Sequence, residues 1–374
     1  MTGTRRPLAL IAATALLSVA VLVARAGAAT GGTGPGAPSP QPSLPALTTR
    51  QLVGQHMVFA YAGATPPAAL RRRIGAGEAA GVILFARNIA SRGRLRATLA
   101  RLQAIPRPAG LRAPLLVMID QEGGFVKRLA GAPSRSPAAI GRIGSTAVAR
   151  SEGAATARNL RDVGINVNLA PVLDTARPGS FSEQFERSYS RDPAKVARLG
   201  TAFASALQAG GVAATAKHFP GIGVPRVDED TVASRIGLSR STLRSIDEAP
   251  FAAAVRAGID MVMVSTAVYP AFDRMPALFS RRLATDELRG RLGFAGVSIT
   301  DDLETAAASA YGAPALEARM STRAGLDLLL YAQSYGRGVQ AEEGLIRDAR
   351  ARRVSIADLR RSAARVLALR AGLR

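Results

Sequence analysis

Short apolar runs alternate with longer amphipathic stretches through most of this 374-residue chain. The runs are Met57–Ala60, Gly81–Phe85, Leu115–Asp120, Ile165–Ala170, Ala213–His218, Asp260–Ser265, Val297–Asp301 and Asp327–Tyr331. They are apolar at nearly every position rather than at every second one, the pattern of strands buried on both faces. Between them, Ser91–Leu102, Ser145–Val163, Lys195–Ala209 and Ala315–Ala324 carry helical periodicity, and the chain closes on a helix over Ile356–Ala371. Eight such alternations predict a single-domain α/β fold, a parallel (β/α)8 TIM barrel whose sheet is wrapped by helices.

Ahead of the first strand the pattern changes. Arg5 and Arg6 precede an apolar run from Pro7 to Val23 and a small-residue site, Ala26-Gly27-Ala28, which predicts an export signal peptide over residues 1–28. An uncleaved anchor is the competing reading, because the run approaches the ~18–20 residues that a spanning helix needs. Residues 29–46 are rich in Gly, Pro, Ser and Thr and read as a flexible linker, which leaves residues 47–374 for the barrel. The product is expected to be exported, extracellular or associated with the cell envelope. With no cysteine in the chain, neither a disulfide framework nor a lipid-modified cysteine enters the picture.

Charge narrows the partners. The formal net charge is +22, nearly all of it from arginine, since Lys127, Lys195 and Lys217 are the only lysines. This balance allows electrostatic association with anionic envelope polymers. It does not predict nucleic-acid binding. The arginines are scattered over helical segments such as Arg71-Arg72-Arg73 and Arg360-Arg361, and a chain with 5% aromatic residues and no tryptophan offers few platforms on which bases could stack.

Candidate chemistry gathers at the C-terminal ends of the strands, where a barrel of this class puts its site. Asp120 ends the third run, Asp174 follows the fourth, Lys217-His218 ends the fifth, and Asp301-Asp302 ends the seventh. Taken singly, Asp174 and Asp302 read as helix N-caps. Asp120, Lys217, His218 and Asp301 together do not. After Lys217-His218-Phe219-Pro220-Gly221-Ile222-Gly223, a glycine-loosened loop that reads as a mobile lid delivers Asp228, Glu229 and Asp230. Two separate carboxylate clusters at one mouth suggest glycosidic chemistry. No metal or other cofactor is predicted. The acids at 228–230 lack the alternating spacing of a calcium loop, two histidines are too few for a zinc site, and Gly221-Ile222-Gly223 lacks the third glycine of a dinucleotide turn. His56, beside a helical-looking Thr48–Gln55, reads as structural.

These motifs carry a resemblance. In order, Gly81–Asn88, Ile119–Gly124, Glu186–Tyr189, Lys217–Gly221, Thr300–Leu303 and Ala324–Asp327 make the chain similar to the single-domain, β-N-acetylglucosaminidase-like branch of glycoside hydrolase family 3. The resemblance implies an exported retaining hydrolase that removes β-linked N-acetylglucosamine from a cell-wall or chitin-type oligosaccharide. It implies Asp301 as the nucleophile, Asp120 as acceptor for sugar hydroxyls, and Arg128, Arg187, Lys217 and His218 as donors that hold the ring. Lys217 or Arg187 is further expected to steady the charge of Asp301.

The chain departs from that pattern in three places. Where the branch has an Asp-Ser-His unit, this chain has Asp228-Glu229-Asp230, so Asp228 takes the orienting position and Asp230 replaces the acid/base histidine. Three outcomes follow: Asp230 or Glu229 serves as the acid, turnover is slow and restricted to good leaving groups, or the barrel only binds sugar. Phe125 stands where an arginine is usual, and Ser265-Thr266 where Ala-His is common, which opens the way to a different glycone such as glucose or xylose, or to a different aglycone.

Overall fold

The computed structural model describes residues 46–228 and 231–373. The predicted signal over 1–28, all of the predicted linker but Ala46, and both Glu229 and Asp230 lie outside the described residues. The described residues belong to one unit, which runs from Pro42 to Arg374.

All eight predicted strands are present: β1 (Met57–Phe59), β2 (Gly81–Leu84), β3 (Leu116–Ile119), β4 (Val167–Asn168), β5 (Ala213–Phe219), β6 (Met261–Val264), β7 (Val297–Thr300) and β8 (Leu329–Tyr331). Each pairs in parallel with its sequence neighbour, and β1 also pairs with β8, Met57 lying beside Leu329. A parallel bridge between Ile299 and Leu328, with Thr300 N donating to the Leu328 carbonyl at 3.0 Å, closes β7 on β8 and completes the barrel. A closed barrel leaves no sheet edge unpaired.

Side-chain alternation along the strands divides the apolar residues into two sets. Val58, Ile83, Met118, Leu169, Met263, Ile299 and Leu330 belong to the cluster inside the barrel. Phe59, Val82, Val117, Ala216, Val264 and Tyr331 point outward and pack beneath the helices. The predicted helices also form, several with side-chain caps: Ser91, Ser145 and Ser355 each accept a hydrogen bond from the backbone N–H three residues on, opening Arg92–Gln103, Thr146–Arg161 and Ile356–Gly372.

The N-terminal end of the barrel is sealed by polar bonding around one buried acid. Asp327 accepts hydrogen bonds from Ser298 N at 2.9 Å, Ser362 Oγ at 2.7 Å and Arg365 Nη2 at 2.7 Å, and it also pairs with Arg289. Burial alone would raise this carboxyl, but Arg289 and Arg365 hold it below the ordinary range. His56 belongs to the same end. It is fully buried, and its Nδ1–H donates to the Asp327 carbonyl at 2.9 Å, on the face opposite the candidate site.

Candidate active site

The same alternation builds the mouth of the barrel. Ile83, Leu169, Met263 and Leu330, from β2, β4, β6 and β8 or their ends, line the bottom of a cavity of about 280 Å3. The next inward positions on the odd-numbered strands lie two residues beyond Met118, Thr215 and Ile299, and they are Asp120, Lys217 and Asp301. All three line the cavity. An apolar floor from one set of alternate strands therefore carries a polar ring from the other, the layering expected of this barrel class.

The polar ring is bonded together mainly through an acid with no assigned role in the sequence analysis. Glu122 sits in a two-stranded hairpin, Gln121–Gly123 paired with Val126–Lys127, directly after β3. Arg187 grips it with two hydrogen bonds, Nε at 2.9 Å and Nη2 at 2.8 Å. Lys217 Nζ lies 2.7 Å from both Glu122 Oε1 and Asp120 Oδ1. Burial would push the Glu122 carboxyl up, yet the Arg187 guanidinium and the Lys217 ammonium hold it well below the usual carboxylate range. Burial likewise opposes the charge on Lys217, and Asp120 and Glu122 outweigh it, so its pKa lies above the ordinary value. The direct bonds of Lys217 and Arg187 run to Glu122 and Asp120 rather than to Asp301. The signal for Glu122 was its place two residues after Asp120, on the same face, ahead of the tight Gly123-Gly124 turn.

Asp174 and Asp302 are not helix caps, contrary to the reading of each alone. Asp174 is buried and receives the His218 backbone N–H at 3.1 Å, the His218 Nδ1–H at 2.8 Å and Ile222 N at 2.9 Å, which fixes the imidazole and the start of the following loop. The Lys217–His218 peptide bond is cis. Both side chains line the cavity, which strict alternation forbids, and the register of β5 on β6 shifts between Ala216 and Phe219. Asp302 accepts from Glu304 N at 3.0 Å, Ala332 N at 3.1 Å and Gln333 Nε2 at 2.9 Å, while its own N–H donates to Asp301 Oδ1 at 2.9 Å. Burial raises the Asp302 carboxyl to about 6, against the pull of those bonds. Through its backbone N–H, Asp302 thus holds one carboxylate oxygen of Asp301, and both residues line the cavity.

Of the other predicted residues, Arg128 lines the cavity with its guanidinium carbon 5.8 Å from the Phe85 ring centre, and its buried Nε has no hydrogen-bond partner among the described residues. A buried donor without an acceptor suits a ligand oxygen. Asp228 also lines the cavity. The loop that carries it does not start loosely. A Cβ on Gly223 would lie 1.8 Å from the Thr175 carbonyl oxygen, and one on Gly221, at φ 128°, would lie 2.9 Å from Asp247 Cβ. These glycines permit close packing rather than slack. Phe125 stands at the rim and is 69% exposed, whereas Ser265 and Thr266 are buried and outside the cavity lining. Among the described residues no group of three or more His, Asp or Glu side chains is arranged to hold a metal ion.

Known proteins share this architecture. The description "Glycosyl hydrolase family 3 N terminal domain" matches residues 49–369. The chain is 39% identical over 302 residues to an uncharacterized secreted glycosyl hydrolase of Arthroderma benhamiae, covering 79% of this chain and 84% of that one. It is 38% identical over 271 residues to a beta-hexosaminidase of Thioalkalivibrio sulfidiphilus, covering 70% and 75%. Among solved structures, a family 3 beta-N-acetylglucosaminidase from Paenibacillus superposes with a TM-score of 0.83 at 36% identity, over 87% of this chain and 63% of that one. A beta-N-acetylhexosaminidase from Beutenbergia cavernae gives 0.80 at 31% identity, over 87% and 99%. On the family match over residues 49–369 and these relatives, this chain belongs to glycosyl hydrolase family 3 and is a glycosidase.

Proposed function

We propose that the protein is an exported, retaining β-N-acetylhexosaminidase that removes β-linked N-acetylglucosamine from a cell-wall or chitin-type oligosaccharide. The observation that carries this reading is that Asp301 lines the same cavity of about 280 Å3 as Asp120 and Lys217, above an apolar floor. The names of the relatives support the choice of sugar. An export signal over 1–28 and a linker over 29–46 are part of the proposal, as is attraction of the basic surface to anionic envelope polymers.

In the first step a carboxylate oxygen of Asp301 attacks the anomeric carbon, the bond from that carbon to the leaving oxygen breaks, and the leaving oxygen takes a proton from an acid on the loop after β5. We assign that acid to Asp230 or Glu229, with Asp228 orienting it. In the second step water attacks the same carbon, the loop carboxylate takes the water's proton, and Asp301 is released. Asp120, Arg128, Arg187, Lys217 and His218 position the ring. The bonds of Glu122 hold Arg187 and Lys217, those of Asp174 hold His218, and Lys217 in turn holds Asp120, all before substrate arrives.

The test is nitrophenol release from the β-N-acetylglucosaminide, β-glucoside and β-xyloside by the full chain and by Asp301→Asn. The reading expects fastest release from the N-acetylglucosaminide and a loss of at least ~10³-fold in the variant. Faster release from another glycoside would replace the sugar, and equal rates in the two proteins would overturn the nucleophile.

A further inference from the structure

Three phenylalanines form a continuous aromatic surface leading out of the cavity. Phe181 and Phe185 lie one helical turn apart at the short helix Phe181–Gln184, with ring centres 4.4 Å apart, and both line the cavity. Phe125, at the tip of the hairpin after β3, meets Phe185 edge to face at 6.0 Å. Phe125 is 69% exposed and Phe185 41% exposed, although most large apolar side chains of the described residues are buried. Exposed aromatic surface that continues from a ligand cavity marks a binding surface rather than stray apolar area.

Size and direction identify the occupant. At about 280 Å3, the cavity lies at the small end of ligand pockets, which favours one sugar unit inside it and a second toward the exposed rim. The aromatic helix is tied to the loop that leads to Asp228: Phe181 N donates to the Pro225 carbonyl at 2.7 Å, and Arg177 N donates to the Gly223 carbonyl at 2.9 Å. In the proposed mechanism the proton donor for the leaving group comes from that loop, which puts the aromatic surface on the leaving-group side. The apolar face of a pyranose carries C–H bonds that pack against an aromatic face, and Phe, with no polar group of its own, recognises shape rather than a particular hydroxyl.

Resting on the functional reading above, we propose that Phe125, Phe185 and Phe181 form a leaving-group subsite, and that Phe125 gives this enzyme a preference for a second β-linked sugar ring over a single one. Phe125 here is a specificity-determining residue and takes no part in bond cleavage. Its exposure means that truncation leaves the core intact.

The experiment uses the full chain carrying Asp301→Asn, titrated by calorimetry with the monosaccharide and with its β-linked dimer, so that binding is read without turnover. The dimer is expected to bind about tenfold more tightly than the monomer. Adding Phe125→Ala should remove most of that advantage and leave monomer affinity unchanged, and Phe125→Trp should restore it. Equal affinity for dimer and monomer, or a dimer advantage that survives Phe125→Ala, overturns the subsite, as does an equal loss for both sugars. The catalytic reading fails separately, in the nitrophenol-release comparison, where the dimer plays no part.

Discussion

Removing the charge of Glu122 would leave Lys217 paired with Asp120 alone and strip Arg187 of its direct acid partner in a buried wall. Breaking a buried ion pair from one side costs about 3–5 kcal/mol, because the other charge stays in a medium that does not solvate it. Glu122→Gln should therefore lower the unfolding free energy measured by urea denaturation by an amount in that range and also depress kcat/KM, whereas Asp120→Asn, which leaves the Glu122 contacts in place, should depress kcat/KM with a smaller loss of stability. Asp301, Asp120, Lys217 and His218 were legible in the sequence because they end apolar runs, and a barrel puts such positions at its mouth. Glu122 was not, since a glutamate before two glycines looks like an ordinary polar turn. Its role depends on Arg187, 65 residues away, a contact that spacing cannot reveal.

In the proposed mechanism turnover depends on the loop after β5, which bears Asp228 and leads to Glu229 and Asp230. Its first turn is fixed by contacts that only glycine permits, with the Thr175 carbonyl standing 1.8 Å from where a Gly223 Cβ would be. Gly223→Ala must shift that turn, and displacement of a catalytic group by about 1 Å costs on the order of 10²-fold in rate. The variant should retain its circular dichroism spectrum and lose roughly that factor in kcat/KM. Asp230→Asn and Glu229→Gln should separate the two candidate acids. The variant that removes the true donor should lose far more rate on a poor leaving group, such as a second sugar, than on nitrophenol. Elements were legible where the pattern was strong. Eight apolar runs gave eight strands, although β4 pairs only over Val167–Asn168. The helix Tyr335–Arg350 went unremarked in the sequence, because its buried face includes Gly338, Ala341, Glu342, Gly344 and Asp348, small or polar residues that weaken helical periodicity. The two glycines after Pro220 were read as loosening the loop, since sequence does not show what a glycine packs against.

The whole barrel should have a stability that peaks on the acid side of neutrality. Glu122 and Asp327 have depressed pKa values in the folded state, so their contribution is complete above the unfolded carboxyl range near ~4 and is lost as the pH falls below it. Asp260 and Asp302 are raised by burial to about 6, which has the opposite sign: their contribution is complete below ~4 and disappears as the pH rises through about 6. Urea midpoints measured from pH 3 to pH 8 should accordingly pass through a maximum near pH ~4–5, and Asp302→Asn should flatten the decline on the alkaline side. A midpoint that climbs steadily to pH 8 would contradict this assignment. The parallel barrel was the most legible feature of all, because continuous apolar strands alternating with amphipathic helices admit few other arrangements.

The proposed mechanism requires Asp301 to become covalently attached to the sugar. A 5-fluoro glycosyl fluoride slows release of the glycosyl-enzyme more than its formation, and the trapped species can be digested and sequenced by mass spectrometry. The account predicts one added fluoroglycosyl group per chain, on the peptide containing Thr300-Asp301-Asp302 and assigned by fragmentation to Asp301. A label on Asp120, on Asp302 or on the loop acids would contradict it, as would hydrolysis of the β-linked substrate with inversion at the anomeric carbon.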